Sequence, residues 1–312
     1  MKIGLDIMGG DFAPEAAVLG AISAYKALSE NLELVLIGDK EAAIALLNEQ
    51  GFDPERFEYV HTTEVIGMNE HPTKAISQKQ GSSISLGFKL LKSGEIAAFS
   101  SAGNSGAMLV GAMFSVKAIP GVLRPAITSI IPKLNGSVGI LIDVGANADC
   151  KPEYLLQFGI LGSLLAREVY GINAPRVALM NIGEEEEKGN ILSIAAFQLM
   201  KDSGLIDFRG NIEGRDLFTE NADVIVCDGF TGNIILKLAE SLYDVALSKN
   251  IRDDFFDRFN YEQYGGSPIL GINAPVLVGH GISTPEAIKN MIILSKNMVK
   301  SSLVEKIKLS FQ

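Results

Sequence analysis

Residues 3–11 carry the sequence IGLDIMGGD, in which an apolar run ends in a glycine turn followed by aspartate. The pattern returns three times along the chain, as AAFSSAGNSGA at 97–107, GILIDVGAN at 139–147 and VIVCDGFTGN at 224–233. Glycine lets the backbone come close to a ligand, and a helix that begins after such a turn presents unpaired N–H groups to an anion. The sequence therefore predicts an α/β protein with a phosphate site built from several loops.

Strand-like apolar runs alternate with amphipathic segments over most of the chain. We predict helices over about 14–29 and 82–92, a strand over 32–38 and a long helix from Gly232. Asn135-Gly136 separates two apolar runs, which is a strong hairpin signal. The pattern indicates one α/β domain over 1–312, with a doubly wound, mostly parallel sheet and one antiparallel element.

Composition limits the classes of function. The chain has 312 residues, a net charge of −10 and 47% hydrophobic residues, which is typical of a soluble protein and argues against nucleic-acid binding. Cys150 and Cys227 are the only cysteines, and no secretory signal or run of about 20 apolar residues is present, so we predict a cytoplasmic protein. Residues 71–142 carry seven basic residues against one acid, which describes either a surface for an acidic partner or ordinary solvated lysines.

The segment over about 242–271 interrupts the alternation. It places Ile251, Phe255, Phe256 and Phe259 at helical spacings among charged residues. We predict a protruding helical segment there that runs into a loop, YEQYGGSPILG at 261–271. Three interpretations stay open: packing on the protein's own core, a dimer contact, or contact with a membrane surface.

Several common catalytic signatures are missing. The chain has no G-x-x-x-x-G-K-[ST], no G-x-G-x-x-G after its first strand and no G-x-S-x-G, and the spacing of its three histidines suggests no metal site. Catalysis must then depend on Asp, Asn, Ser, Lys, backbone amides, or a substrate that is itself the nucleophile.

An ordered set of motifs resembles the PlsX-type phosphate acyltransferases over nearly the whole chain. The motifs are DIMGGD at 6–11, SAGNSGA at 101–107, DVGAN at 143–147, NIGEE at 181–185, DGFTGN at 228–233, GGSPILG at 265–271 and GHG at 279–281. Ser105 stands where threonine is more usual, a change that keeps the hydroxyl. The resemblance implies a Rossmann-like homodimer, related to phosphotransacetylases and isopropylmalate-type dehydrogenases, with no metal or organic cofactor. It also implies acyl transfer from acyl carrier protein to inorganic phosphate, giving acyl phosphate for phospholipid synthesis, and with it a membrane surface and a downstream membrane acyltransferase as partners.

Phosphate is already a nucleophile, so this chemistry needs a cradle, an oxyanion stabiliser and a proton for the leaving thiolate. We predict catalytic roles for Asn147, Asp228, Asn233 and His280, although loop capping or a structural histidine explains the same residues. We expect Asp11 to cap a helix beside the bound substrate. The predicted substrate-binding residues are Gly9, Gly10, Asp11, Lys74, Ser101, Gly103, Asn104, Ser105, Gly106, Asp143, Asn181 and Glu184.

Two other functions remain open from the residues alone. Asp-x-Gly and Asp-Gly loops also contact nucleotide phosphates in actin-like sugar or acetate kinases, but that fold requires hairpins after the first aspartate, whereas here Pro14 leads into an Ala-rich helix. The second alternative function is a non-catalytic scaffold that gathers lipid-synthesis proteins on a membrane through the segment with Phe255, Phe256 and Phe259.

Overall fold

The computed structural model describes residues 1–28 and 33–312, so Ser29 and Leu32 of the predicted first helix and second strand lie outside the described residues. The strands are β1 (Lys2–Asp6), β2 (Glu33–Gly38), β3 (Glu58–His61), β4 (Ala98–Ser101), β5 (Ala126–Pro132), β6 (Val138–Ile142), β7 (Arg176–Met180), β8 (Asp207–Ile212), β9 (Val224–Val226), β10 (Ser267–Leu270) and β11 (Val276–Val278). The helices are α1 (Glu15–Leu28), α2 (Lys40–Glu49), α3 (Pro72–Gln78), α4 (Ser83–Ser93), α5 (Ser105–Ser115), α6 (Pro152–Glu168), α7 (Ile191–Ser203), α8 (Gly229–Ser248), α9 (Asp254–Asp257), α10 (Pro285–Lys300) and α11 (Leu303–Ser310).

The chain divides into two compact units. Unit 1 comprises Met1–Ala118 and Tyr261–Val304, and unit 2 comprises Ile119–Asn260 and Glu305–Gln312. The expectation that residues 1–312 act as one domain stays a prediction.

Unit 1 is built on a sheet with the strand order β3-β2-β1-β4-β11-β10. All neighbouring strands are parallel except β10, which runs antiparallel to β11. Helix α1 packs closely on α10 because Gly20 has no side chain: a Cβ there would lie 2.5 Å from Cβ of Ile288. Helix α1 follows the first strand directly, in place of the hairpin that a kinase-like fold requires.

Unit 2 is built on a sheet with the order β5-β6-β9-β7-β8, in which only β5 is antiparallel to its neighbour. The β5–β6 hairpin turns at Asn135-Gly136, and Gly136 has a φ of +87°, a conformation that glycine adopts at little cost. The predicted mostly parallel α/β fold with an antiparallel hairpin is therefore confirmed.

The segment over 242–271 differs from the prediction in detail. Helix α8 ends at Ser248, a single helical turn forms α9, and Ser267–Leu270 form strand β10, so the expected loop contains a strand. Phe259 is buried in the core of unit 2 and Phe255 packs against it, with ring centroids 5.0 Å apart. Of the three open interpretations, packing on the protein's own core is therefore observed for both side chains.

Candidate functional site

Three glycine-containing loops meet in unit 1 where neighbouring parallel strands end. Strand β4 lies between β1 and β11, and the N–H of Gly279 donates to the carbonyl of Ser101 over 2.8 Å. The N–H of Asp11 donates to the carbonyl of Gly281 over 2.7 Å. A Cβ on Gly9 would lie 2.5 Å from the N atom of Gly103, so only glycine allows this approach. Ligands of α/β proteins bind at such strand ends.

A buried aspartate organises this junction. The Asp6 carboxylate accepts from the Ser101 hydroxyl over 2.6 Å and from the N–H of Met8 over 2.9 Å. The Ser101 oxygen in turn accepts from the N–H of Gly103 over 2.9 Å. Burial raises the pKa of Asp6, and these donors oppose the rise. The hydroxyl proton of Ser101 is thus donated to Asp6, and both residues hold the turn in place.

The side chain of Asn104 uses its hydrogen-bonding groups to hold the loop in place. Its Oδ1 caps α5 by accepting from the N–H of Ala107 over 2.9 Å. Its Nδ2 donates to the carbonyls of Gly67, Met68 and Glu70 over 3.0–3.1 Å. The side chain is buried and fully engaged, so it fastens residues 67–70 to the start of α5.

Ser105 and Gly106 begin α5 directly after this cap. The Ser105 side chain is exposed, and the first main-chain bond of the helix runs from the N–H of Met108 to the carbonyl of Asn104. The N–H groups of residues 105 and 106 therefore belong to the set that a helix leaves without intrahelical partners. They and the Ser105 hydroxyl are the donors that this turn offers to an anion.

The remaining predicted residues of unit 1 have varied surroundings. His280 is half-buried and its ring lies 4.6 Å from the ring of Tyr261, centroid to centroid. Lys74 is exposed on α3. Asp11 is exposed, and the expectation that it caps a helix is wrong because α1 begins four residues later, at Glu15.

In unit 2, Asp143 collects donors from its own loop and one from strand β5. It follows β6, and its Oδ1 accepts from the N–H groups of Ile127, Gly145 and Ala146 over 3.0–3.3 Å. Its Oδ2 accepts from the N–H and the Nδ2 of Asn147 over 2.7 Å and 2.9 Å. Burial raises the pKa of Asp143, and these bonds oppose the rise. Nδ2 of Asn147 also donates to the carbonyl of Pro125 over 2.8 Å, so both amide protons of Asn147 are used within the loop.

Asp228 and Asn233 flank the start of α8, which begins at Gly229 and not at Gly232 as predicted. Asp228 caps the helix, because its carboxylate accepts from the N–H and the hydroxyl of Thr231, each over 2.8 Å. Asn233 therefore lies in the second turn of α8, where it is exposed. Its Oδ1 would lie 3.7 Å from a Cβ on Gly145, so the two loops of residues 143–147 and 228–233 are neighbours.

Asn181 and Glu184 follow β7. Nδ2 of Asn181 donates to the carbonyl of Lys188 over 3.0 Å, and its Oδ1 accepts from the N–H of Ile182 over 2.9 Å, so this side chain also closes its own turn. Glu184 is exposed and lies 3.5 Å from the guanidinium of Arg215.

Two of the seven basic residues counted between positions 71 and 142 are not free surface charges. Lys79 forms an ion pair with Glu70 over 2.5 Å, which lowers the pKa of that carboxyl. Lys133 is buried and donates to the carbonyl of Leu217 over 2.9 Å, and burial lowers its pKa to about 8. The interpretation of Lys133 as a solvated lysine is wrong, because a lysine in an apolar hairpin resembles a surface lysine in sequence.

Sequence reasoning also missed a cleft in unit 2 at the ends of β7 and β9. It encloses about 470 Å³, and most of its lining side chains are apolar. Apolar residues that line a cleft follow the same periodicity as core residues, so the sequence carries no separate signal for them. Within residues 1–28 and 33–312, no three His, Cys, Asp or Glu side chains are grouped as a metal site would require.

The chain is similar to a known family and to solved structures. A profile of the family described as "Fatty acid synthesis protein" matches residues 1–306. A phosphate acyltransferase from Dictyoglomus turgidum is 41% identical, covering 98% of this chain and 96% of that protein, and one from Pelotomaculum thermopropionicum is 42% identical, covering 100% and 95%. A phosphotransacetylase structure from Streptococcus pyogenes matches with a TM-score of 0.66 at 17% identity, covering 96% of this chain and 94% of that one, which shows a shared fold. Identity above 40% over almost the entire length places the chain in the phosphate acyltransferase family, and it is an acyltransferase.

Proposed function

We propose that this enzyme transfers a fatty acyl group from the thioester of acyl carrier protein to inorganic phosphate, and that the acyl phosphate enters phospholipid synthesis. The observation that carries the proposal is the match, over 98–100% of the chain, to proteins named phosphate acyltransferase. Phosphate attacks the thioester carbon directly, the C–S bond breaks, and the thiolate leaves with a proton. This step needs no covalent intermediate on the protein.

The phosphate is proposed to bind at the start of α5. Ser105 and Gly106 supply two main-chain N–H groups and one hydroxyl, and the positive end of the helix adds to the attraction. Gly9, Gly10 and Gly103 let the neighbouring backbone come close. Ser101 and Asn104 position the loop that carries these groups, because their own donors already bind other protein atoms. Exposed Lys74 adds positive charge that favours the approach of the anion.

His280 is the proposed proton donor to the thiolate. Its loop contacts the Asp11 loop through the bond between the N–H of Asp11 and the carbonyl of Gly281. In unit 2, Asp143 and Asn147 position the backbone of residues 143–147, and Asp228 positions α8. Asn233, exposed in the second turn of α8, is the further catalytic residue proposed in unit 2. Asn181 and Glu184 border the substrate.

A turnover assay tests the reaction. Acyl carrier protein loaded with a fatty acyl thioester is mixed with enzyme and phosphate, and the acyl phosphate is trapped with hydroxylamine. We expect hydroxamate that depends on phosphate, and free carrier thiol in equal amount. A covalent acyl adduct on the protein that forms without phosphate and is consumed by phosphate would reject direct attack.

Ser105→Ala tests the proposed phosphate site. Loss of one hydroxyl donor to an anion should raise KM for phosphate about tenfold, because a hydrogen bond to a charged group contributes about 1.5 kcal/mol. Ser115→Ala, at the other end of the same helix, is the matched control and should leave KM unchanged. Equal KM values in both variants would remove Ser105 from the site.

We also propose a homodimer that uses α8. Phe230, Ile234, Leu238 and Val245 are exposed apolar residues at helical spacing on this helix, and a continuous apolar stripe of this kind is typical of an interface. The solution mass measured by light scattering should be twice the chain mass. Leu238→Glu should shift it to one chain mass, whereas Lys237→Glu, at the adjacent exposed position, should not. A wild-type protein of one chain mass contradicts the dimer.

Contact with a membrane surface and with a downstream membrane acyltransferase also belongs to the proposal. Every helix within the described residues is too short or too polar to span a bilayer. Phe256 contacts Phe255 with ring centroids 5.7 Å apart, so the exposed Ile251 is the better probe. Ile251→Glu should reduce flotation with vesicles of anionic phospholipid without loss of turnover, and unchanged flotation would exclude this segment.

A further inference from the structure

We propose that the unit 2 cleft at the carboxyl ends of β7 and β9 binds the hydrocarbon chain of the acyl donor. The inference rests on the proposed function and assigns it a substrate subsite. The cleft volume of about 470 Å³ falls within the roughly 300–1,000 Å³ of small-molecule sites. Its lining residues are Leu155, Leu179, Met180, Asn181, Ile182, Gly189, Asn190, Leu192, Ser193, Cys227, Asp228, Thr231 and Ile235.

The wall of the cleft is apolar. Leu155, Leu179 and Cys227 are buried at its base, and Met180, Leu192 and Ile235 are half-buried around it. Burial raises the pKa of the Cys227 thiol well above its usual value, so Cys227 is neutral at pH 7 and behaves as a small apolar side chain. These side chains offer a hydrocarbon the contacts it prefers, at the edge of the sheet where α/β proteins bind ligands.

The charge of the residues that line the cleft favours a hydrocarbon chain over the other parts of an acyl donor. Among the described residues that line the cleft, Asp228 is the only charged one, and its carboxylate is held in place by Thr231. Phosphate, a nucleotide and phosphopantetheine are all anionic, and an acid with no basic residue beside it in the lining repels them. An uncharged acyl chain meets no such repulsion.

The mouth of the cleft continues the apolar character. Ile182 lines the cleft and has 80% of its surface exposed. An acyl chain that enters over Ile182 would cover it.

A matched pair of substitutions on α7 tests the inference. Leu192→Phe adds volume inside the cleft, whereas Ile191→Phe adds the same ring at a neighbouring position that is 91% exposed and does not line it. The measured quantity is the ratio of kcat/KM for hexadecanoyl to that for octanoyl carrier protein. Leu192→Phe should lower this ratio at least tenfold, because each methylene that no longer fits in the cleft changes the discrimination between the two acyl chains by about 10-fold or more. Ile191→Phe should keep the wild-type ratio.

The outcomes separate this inference from the proposed function. If the wild type makes acyl phosphate and Leu192→Phe leaves the ratio unchanged, the cleft assignment is overturned and the reaction stands. If the wild type makes no acyl phosphate, binding of an uncharged fluorescent C16 alcohol decides the cleft: wild type and Ile191→Phe should bind it, and equal binding by Leu192→Phe overturns the assignment. Should Leu192→Phe fail to fold, Ser193→Leu fills the same cleft from α7 with the same expectations.

Discussion

Asn104 gives the most direct test of how unit 1 is held together. Asn104→Ala removes the cap of α5 and both donated protons that hold the carbonyls of Gly67, Met68 and Glu70. Loss of a cap costs about 1 kcal/mol, and each lost neutral hydrogen bond about 1 kcal/mol, so the change should cost about 3 kcal/mol in total. Asn104→Ser keeps an oxygen for the N–H of Ala107 but loses the donors, so it should cost about 2 kcal/mol.

Hydrogen exchange followed by mass spectrometry resolves the two contributions locally, which a global unfolding curve of a two-unit chain does not. In both variants, peptides that cover residues 66–72 should exchange roughly 30-fold faster than in the wild type, since 1.36 kcal/mol is a factor of ten. Peptides that cover 105–112 should exchange about fivefold faster in Asn104→Ala and close to the wild-type rate in Asn104→Ser. Exchange within a factor of three of the wild type at 66–72 in both variants would refute this account of Asn104.

The other predictions concern unit 2. The pKa of Lys133 is about 8 in the folded state and about 10.5 when unfolded, so between these values the unfolded chain binds more protons and the free energy of unfolding should rise with pH. From pH 7.5 to 9.5, the free energy of unfolding measured with urea should rise by about 2 kcal/mol more in the wild type than in Lys133→Met. An equal rise in both proteins would contradict this prediction. Asp143→Asn should lower the stability of unit 2 by about 3 kcal/mol, because asparagine has one acceptor oxygen and cannot accept both the bonds made to Oδ1 and those made to Oδ2. Asp228→Asn should change it by less than about 0.5 kcal/mol, because Asn also caps helices. Equal shifts in thermal melting for the two variants would show that the Asp143 bonds are not needed.

The sequence predicted the architecture where apolar runs were long and bounded by glycine, as in β1, β4, β6 and β9. It failed at β8, where Asp207 and Arg209 alternate with apolar residues on an edge strand and Gly210 has a φ of +90°. Edge strands need few apolar residues because only one side is paired, so their sequences resemble loops. Helix α3 was missed for a similar reason, since Ala75 is its only buried residue.

The site residues were harder to interpret than the fold. Asn104 and Asp228 stand at helix starts, where capping and ligand binding favour the same residue types, and only the hydrogen-bond partners distinguish the two roles. Both residues cap their helices, which is one of the two roles that the sequence left open. The loop positions themselves were predictable, because the ends of parallel strands lie at one edge of a sheet.

An aspartate beside the proposed phosphate site raises an electrostatic question, since like charges repel. Asp6 and Asp143 both lie at the end of a parallel strand and both are buried, so an unpaired charge there would be costly. Each instead accepts from N–H or hydroxyl groups of its own loop and of neighbouring segments: Asp6 from Met8 and Ser101 among others, and Asp143 from Ile127 and residues 145–147. These donors stabilise the carboxylates, and each carboxylate in turn fixes the direction of its donors. A carboxylate used in this way fixes the backbone of its loop, and in the proposed phosphate site the N–H groups at the start of α5 and the Ser105 hydroxyl would bind the anion.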